Sequence, residues 1–173
     1  MKIIKLTLFL TIVCAVCAAV LYGTNAVTEP SIEAYKQEKT EKMLHEMVPE
    51  ATEFKTITLD NSTLSAVHEI YVGKEEKGVV LEINSIGFQS ELSYLVTIID
   101  DKFEGFQVIS QAETPGYGTQ ITEPVWQDQF KDKSITSPID TISGSTVTTR
   151  SVKNGITDAI AIYEKEVLNN GKK

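Results

Sequence analysis

The segment Leu92-Ser-Tyr-Leu-Val-Thr-Ile-Ile99 consists mainly of apolar and β-branched side chains and is the strongest indication of the fold. Alternate residues of a strand face opposite sides of a sheet. Both sets are apolar in this stretch, with Leu92, Tyr94, Val96 and Ile98 on one face and Leu95 and Ile99 on the other. A strand that is apolar on both faces is expected to be covered on both faces. We therefore predict that residues 92–99 form a central strand.

The segments around this strand have the same alternating, β-branched character, which is typical of strands. They are residues 54–59, 66–72, 79–83 and 103–109. Polar turn clusters separate them at 60–62, 73–76 and 100–102. Connections this short join antiparallel neighbours. The sequence thus predicts an antiparallel sheet built from successive hairpins.

Helical patterns flank the predicted sheet. Before it, a spacer at residues 28–31 starts a helix in which apolar residues recur at helical spacing from Ile32 to Val48, ending before Pro49. After the sheet, residues 123–130 predict a short helix with Val125, Trp126 and Phe130 on one side.

The last helix is predicted from about residue 148 to residue 168. Gly155 interrupts it and would permit close packing there. The predicted fold is α+β, with N-terminal helices followed by an antiparallel sheet and a C-terminal helix. The buried stripe of that last helix consists of Val152, Ile156, Ala159, Ile160, Tyr163 and Val167.

Residues 6–22 are uncharged and almost entirely apolar, close to the ~20 residues that span a bilayer. Lys2 and Lys5 precede this segment and the next basic residue is Lys36, so the positive-inside tendency places the N-terminus in the cytoplasm. A secretory signal with the cleavage site Thr24-Asn25-Ala26 is the alternative. We predict a single-pass cell-membrane protein with a cytoplasmic tail at 1–5, a transmembrane anchor at 6–23, a linker helix at 24–50 and an exterior domain at 51–173.

The net charge and the positions of the cysteines exclude several possible functions. Beyond residues 1–5 the chain has 14 Lys and Arg against 24 Asp and Glu, and so acidic a surface repels nucleic acid. Cys14 and Cys17 both lie in the apolar segment, which excludes a disulfide or an iron–sulfur cluster in the exterior domain. His45 and His68 stand apart from other metal-binding side chains, so we predict no metal site.

The segment Asp140-Thr-Ile-Ser-Gly-Ser-Thr-Val-Thr148 lies where a Pro/Ser/Thr-rich loop meets the last helix. The first N–H groups of a helix have no partner within it, and they attract anions such as phosphate. Ser143 and Gly144 would offer a phosphate a hydroxyl donor and close access to the backbone. Capping of the helix is the simpler explanation for Thr146.

A second unusual loop, Glu113-Thr-Pro-Gly-Tyr-Gly118, follows the last predicted strand. Pro115 fixes its own φ angle, whereas Gly116 and Gly118 allow the backbone to approach something flat or charged. A plain structural turn explains the proline and the glycines equally well.

Together the two segments resemble the paired signature of the G subunit of the Rnf electron-transport complex. The first is similar to the Asp-x-x-(Ser/Thr)-Gly-Ala-Thr flavinylation motif of FMN-binding domains, with Ser145 in place of the usual Ala. The second is similar to Glu-Thr-Pro-Gly-Leu-Gly, with Tyr117 in place of the usual Leu. The resemblance covers nearly the whole chain, including Val48-Pro-Glu-Ala51, Ile86-Gly-Phe88 and residues 126–130.

The resemblance implies that Thr146 carries FMN through a phosphoester bond. It also implies an electron-carrying subunit, not a stand-alone enzyme, within a membrane complex that couples ferredoxin and NAD oxidation–reduction to sodium or proton transport. Its partners would be the other subunits and a magnesium-dependent flavin transferase that uses FAD as donor. Asp140 either organises the acceptor loop or is an ordinary turn residue, while Glu113, Thr114 and Tyr117 are candidates for contact with the flavin ring.

Two other functions fit the sequence. One is the same cofactor in another system, such as the C subunit of sodium-translocating NADH:quinone reductase or an extracellular electron-transfer module. The other is a cofactor-free exterior binding or assembly domain, suggested by the acidic surface and the lack of a self-contained catalytic constellation. A flavin adduct in the intact mass of the protein would separate the second from the first.

Overall fold

A computed structural model describes residues 2–49, 54–58, 67–73 and 78–168. The chain divides into two compact units, Met1–Lys39 and Thr40–Lys173. The first unit is a single helix, and the second contains the sheet and the remaining helices.

Helix α1, Lys2–Met47, is unbroken over 46 residues. It is long and apolar enough to cross a membrane, by length and composition. The hydroxyls of Thr7, Thr11 and Thr24 donate to carbonyl oxygens four residues earlier, at 2.8–3.0 Å, which satisfies these polar groups within the helix. Such internal bonding suits an apolar surrounding.

The spacer and helix start predicted at residues 28–31 are wrong, because Pro30 lies inside α1. A proline removes one backbone hydrogen bond from a helix. The residues on both sides of Pro30 include Glu, Ala and Lys, which are good helix formers, so the helix continues through it. Its C-terminal end agrees with the prediction, since Met47 precedes Pro49 by two residues.

The sheet is antiparallel throughout and its strands lie side by side in chain order. The five predicted strands are all present, and the predicted turns at 60–62 and 74–76 fall outside the described residues. A sixth strand of two residues pairs with the fifth and was too short to leave a pattern in the sequence. The strands are β1 Phe54–Thr58, β2 Val67–Gly73, β3 Val79–Ile86, β4 Glu91–Ile99, β5 Lys102–Ser110 and β6 Lys133–Ser134.

Strand β4 is central and apolar on both faces, as predicted. It pairs with β3 on one side and β5 on the other. One face carries Tyr94 and Val96 into the main core, and the other carries Leu95 against Leu44 and Val48 at the end of α1. Burial of each such side chain contributes about 1.5–3 kcal/mol, so the two layers together hold the strand in place.

The main core is closed by helix α3, Thr146–Ile162, which continues as a π-helical segment, Tyr163–Leu168. The predicted stripe is buried at Val152, Ile156 and Ala159, whereas Ile160 is only partly buried and the side chain of Val167 lies outside the described part of the chain. Gly155 does permit close packing. A Cβ there would collide with the Tyr94 hydroxyl.

The short helix predicted at 123–130 consists of α2, Pro124–Gln127, and a 3-10 turn, Asp128–Phe130. Trp126 and Phe130 are buried, with ring centroids 5.3 Å apart. Val125 was expected on the same side, but 87% of its surface is exposed. The helix is only one turn long, and adjacent residues point about 100° apart on it, so Val125 cannot share the buried side with Trp126.

Candidate functional site

The Asp140 segment forms a fixed turn in front of α3. Gly144 has a φ angle of 84°, in the left-handed region that glycine tolerates best. The N–H of Ser145 donates to the Ile142 carbonyl at 3.0 Å. Ser145 occupies the N-cap position, so the helix begins at Thr146 itself. The candidate acceptor is therefore the first residue of a 17-residue helix.

Hydrogen bonds hold this turn from both ends. The Thr149 hydroxyl donates to the Ser145 carbonyl at 3.0 Å and accepts from the Ile142 N–H at 3.3 Å. At the other end, the Trp126 indole N–H donates to the Asp140 carbonyl at 3.2 Å. The Asp140 N–H donates to the Gln129 side chain at 2.7 Å. The buried indole thus ties the acceptor loop to the core.

The hydroxyl groups of this segment differ sharply in accessibility. Ser145 is 5% exposed, and its buried hydroxyl oxygen has no hydrogen-bond partner among the described residues. Thr148 and Thr149 are buried and engaged in hydrogen bonds. Thr146 is exposed. Of the side chains at the start of α3, Thr146 therefore presents the hydroxyl that a modifying enzyme can reach.

The Glu113 carboxylate is buried beside the helix start, with 5% of the residue exposed. It accepts from the N–H groups of Phe88, Gln89 and Ser90 at 3.2, 2.9 and 2.9 Å. The Thr148 hydroxyl donates a fourth bond at 2.7 Å and the Ser90 hydroxyl a fifth, longer one at 3.4 Å. Burial alone raises the pKa of the carboxyl, but these hydrogen bonds outweigh it and lower the pKa below its ordinary value.

Two glycines make room for that carboxylate. A Cβ on Gly118 would approach Oε2 and Cβ of Glu113 to 2.5 Å, and one on Gly87 would collide with Oε1. Gly118 is therefore explained by packing against Glu113. Gly116 differs, because the space around it is open and its φ angle of 77° is what requires glycine.

A cavity of about 440 Å³ opens between the helix start, the Glu113 loop and the β3–β4 turn. Its rim carries three apolar side chains that are largely exposed, Phe88 at 70%, Tyr117 at 58% and Val147 at 55%. Exposed apolar groups gathered around one opening are typical of a binding site. The cavity is lined by Phe88, Glu113, Thr114, Tyr117, Gly118, Gly144, Ser145, Thr146, Val147 and Thr148.

The structure brings together most of the predicted site residues but not all. Asp140, Ser143 and Gly116 do not line the cavity. Asp140 takes part in the turn through its backbone, and its exposed side chain makes no hydrogen bond to the described residues. The predicted residues that do line it are Glu113, Thr114, Tyr117, Gly118, Gly144, Ser145 and Thr146.

Three lining residues were missed as site residues. Val147 and Thr148 follow the acceptor directly, and helical spacing alone does not tell which of them faces the cavity. Phe88 lies in the β3–β4 turn, 25 residues before Glu113. The sequence feature that could have revealed Phe88 is an aromatic residue next to a glycine in a turn, because an aromatic side chain at such a position is not needed for the core.

Two family models match the chain. Residues 87–161 match the FMN-binding domain, and residues 1–47 match the RnfG N-terminal region. The first match contains the whole cavity lining, and the second coincides with α1.

The chain is similar over nearly its full length to G subunits of ion-translocating oxidoreductase complexes. It is 29% identical to the G subunit of the ion-translocating oxidoreductase complex of Methanosarcina acetivorans, over 92% of this chain and 93% of the relative. It is 28% identical to the G subunit of the Na(+)-translocating ferredoxin:NAD(+) oxidoreductase complex of Acetobacterium woodii, over 94% and 92% of the two chains.

A solved structure shares the fold. The C subunit of the Na(+)-translocating NADH-quinone reductase of Parabacteroides distasonis superimposes with a TM-score of 0.54, over 74% of this chain and 82% of that chain. The two sequences are 19% identical, so the likeness concerns the fold alone. It confirms the predicted α+β class, with an antiparallel sheet and a C-terminal helix.

Proposed function

We propose that the chain is the flavoprotein subunit of an ion-translocating oxidoreductase complex, because residues 87–161 match the FMN-binding domain and residues 1–47 match the RnfG N-terminal region. It would carry FMN and pass electrons between other subunits of the complex. The named relatives and the match to the RnfG N-terminal region support this assignment over the quinone-reductase and extracellular alternatives.

The attachment is covalent and lies at Thr146. The observation that carries this proposal is the contrast among neighbouring hydroxyls, since Thr146 is exposed at the cavity while Ser145, Thr148 and Thr149 are buried. The start of α3 also stabilises the proposed phosphodiester between FMN and Thr146. Joined to Thr146, the FMN phosphate becomes a diester monoanion beside the unpaired N–H groups of a 17-residue helix, where negative charge is stabilised.

The cavity fits the rest of the cofactor. Its volume of about 440 Å³ is within the range of roughly 300–1,000 Å³ typical of small-molecule sites. Phe88, Tyr117 and Val147 provide apolar surface for the flavin ring, and Thr114 and the backbone at Gly118 provide polar edges. FMN, when bound, supplies the one- or two-electron chemistry, and the protein supplies attachment, orientation and electrostatics.

Asp140 and Ser143 serve installation of the cofactor. Both are exposed, lie in the turn before the acceptor and do not line the cavity. They would be recognised by a magnesium-dependent flavin transferase that uses FAD as donor. A carboxylate such as that of Asp140 is a suitable group to meet a metal-bound nucleotide from outside.

The FMN-binding domain lies on the exterior side of the membrane, with residues 6–23 as the anchor. The support is the apolar N-terminal part of α1 and the placement of Lys2 and Lys5 before it. A covalent bond suits this location, because a cofactor lost outside the cell cannot be replaced from a cytosolic pool. Protease added to intact cells should then digest the domain and spare the N-terminus.

Intact-mass spectrometry tests the proposed function directly. The full-length protein, co-expressed with a competent flavin transferase, should gain one FMN adduct that survives denaturation. Thr146→Ala should remove the adduct, and Ser145→Ala should keep it. A wild-type protein without any flavin adduct would instead favour the cofactor-free binding domain, and an adduct mapped to Ser143 or Ser145 would overturn the assignment to Thr146.

A further inference from the structure

Glu113 touches every segment that forms the cavity. Its carboxylate binds three successive N–H groups of the β3–β4 turn, where Phe88 lies. It binds the Thr148 hydroxyl in the first turn of α3, two residues after Thr146. Its own loop continues to Tyr117, and Gly118 packs directly against its side chain. One side chain thus joins three separate segments.

The hydrogen bonds of the Glu113 carboxylate are suited to holding the surrounding segments rigidly. Two carboxylate oxygens offer about four acceptor sites. Four short hydrogen bonds from the turn backbone and Thr148 and a longer one from the Ser90 hydroxyl at 3.4 Å occupy them. Hydrogen bonds to a charged acceptor contribute more to stability than hydrogen bonds to a neutral acceptor. The fit is close on the remaining sides, where Gly87 and Gly118 leave no space for another atom.

Within the described ranges, no cation balances the charge of Glu113. All the groups that donate to it are neutral, and no Lys or Arg within the described ranges forms an ion pair with it. Glu113 is nevertheless one of the residues that line the cavity. A negative charge at low dielectric opposes the arrival of further negative charge nearby.

We propose that Glu113 is the positioning residue of the flavin site, which fixes Phe88, Tyr117 and Thr146 relative to one another and lowers the reduction potential of the bound flavin through its charge. Only the second part of this proposal, the effect on the reduction potential, rests on the proposed function. The positioning exists in the protein before any cofactor is attached. In this proposal Glu113 does not contact the flavin ring directly, because the acceptor sites of its carboxylate are already occupied by groups of the protein.

The first experiment uses the flavin-free protein, expressed without a transferase. Amide hydrogen exchange is measured at Phe88, Gln89 and Ser90 in Glu113→Gln and Glu113→Ala. Loss of one hydrogen bond to a charged acceptor predicts exchange about tenfold faster or more. Thr148→Val should speed exchange less, since it removes only one of the carboxylate's partners, and Thr148→Ser should restore the wild-type rates.

The matched control is Glu104→Gln, which makes the same charge change at an exposed position of β5 away from the cavity. It should leave all three exchange rates unchanged. Unchanged rates in folded Glu113→Ala, or equal acceleration in Glu104→Gln, would overturn the positioning role.

The second experiment uses the flavinylated full-length protein. Glu113→Gln should give a higher midpoint potential and an altered visible circular dichroism spectrum, because the charge and the fixed walls are both changed. Thr148→Val keeps the charge, so it should alter the spectrum and shift the potential less. An unchanged potential in Glu113→Gln with full flavin occupancy would refute the electrostatic part. Absence of flavin in the wild type would refute the proposed function and leave the exchange result standing.

Discussion

Ser145 gives the sharpest prediction about stability, because its buried hydroxyl has no hydrogen-bond partner among the described residues. Ser145→Ala removes that hydroxyl and restores the alanine that the flavinylation motif usually has. An unpaired hydroxyl in a protein interior costs about 1–3 kcal/mol. The substitution removes this cost, so we expect the variant to be more stable than the wild type.

Two possible opposing effects need to be considered, and only the second one reduces the gain. An N-cap serine normally stabilises its helix by about 1 kcal/mol, but Ser145 makes no side-chain capping bond, so that loss does not apply. Removing the oxygen atom also forfeits some packing contacts, at about 0.1–0.2 kcal/mol each. The net expectation is a gain of about 1–2 kcal/mol. For a domain of this size, that gain corresponds to a rise in Tm of about 3–8 °C.

The assay is unfolding of the flavin-free full-length protein in detergent, followed by the fluorescence of Trp126, which is the sole tryptophan of the chain. Trp126 is bonded to the acceptor loop, so it reports on the relevant unit. Ser143→Ala is the matched control, since Ser143 is exposed in the same turn, and its Tm should change by less than about 1 °C. A Ser145→Ala variant that is less stable by about 1 kcal/mol would refute the reasoning and would indicate that the hydroxyl caps α3 in solution.

Four further outcomes are expected. Thr146→Ser should keep some covalent flavin, because it retains a hydroxyl at the same exposed position, and in-gel flavin fluorescence measures the fraction; equal labelling in Thr146→Ala would contradict this. Gly118→Ala should lower the free energy of unfolding, measured by urea titration, by about 3 kcal/mol through its collision with Glu113, whereas Gly116→Ala, which meets open space, should cost only about 1–2 kcal/mol of φ strain in the same measurement. The folded-state pKa of Glu113 is lowered, so its stabilising effect is present above its unfolded pKa of about 4.3 and is lost as pH falls through the folded value; the stability difference between wild type and Glu113→Gln should therefore shrink as pH falls below about 4.3, and a constant difference would argue against an ionised carboxylate. Tyr117→Leu removes an aromatic ring from the cavity rim and should increase the emission of bound flavin, while unchanged emission would show that Tyr117 does not stack on it.

Alternation of apolar residues allowed the sheet to be predicted closely. In β3, β4 and β5 apolar residues recur at every second position, which is the period of a strand. The structure buries these apolar residues on one face of the sheet or the other. The same pattern predicted that Leu95 is buried on the second face of the sheet. It did not predict that the end of α1 packs against Leu95.

Short elements and long-range contacts were harder to predict. Val125 was misplaced because a helix of one turn has no periodicity to reveal its buried side. Pro30 suggested a helix start by a local rule, which the surrounding helix formers overrode. The contact between Glu113 and residues 88–90 depends on two strands and a loop folding back, and no local signal encodes such a pairing.

The Tyr94 hydroxyl fixes the axial position of α3. It donates to the Val152 carbonyl at 3.2 Å and occupies the gap that Gly155 leaves in the helix surface. Sliding α3 by one residue along the sheet would move its start by about 1.5 Å and would bring a side chain against that hydroxyl. Electron transfer depends steeply on the distance between donor and acceptor, so a group attached at Thr146 inherits the precision of this contact. If FMN is attached at Thr146 as we propose, this tyrosine in the middle of a buried strand helps to fix where the cofactor lies relative to its redox partner.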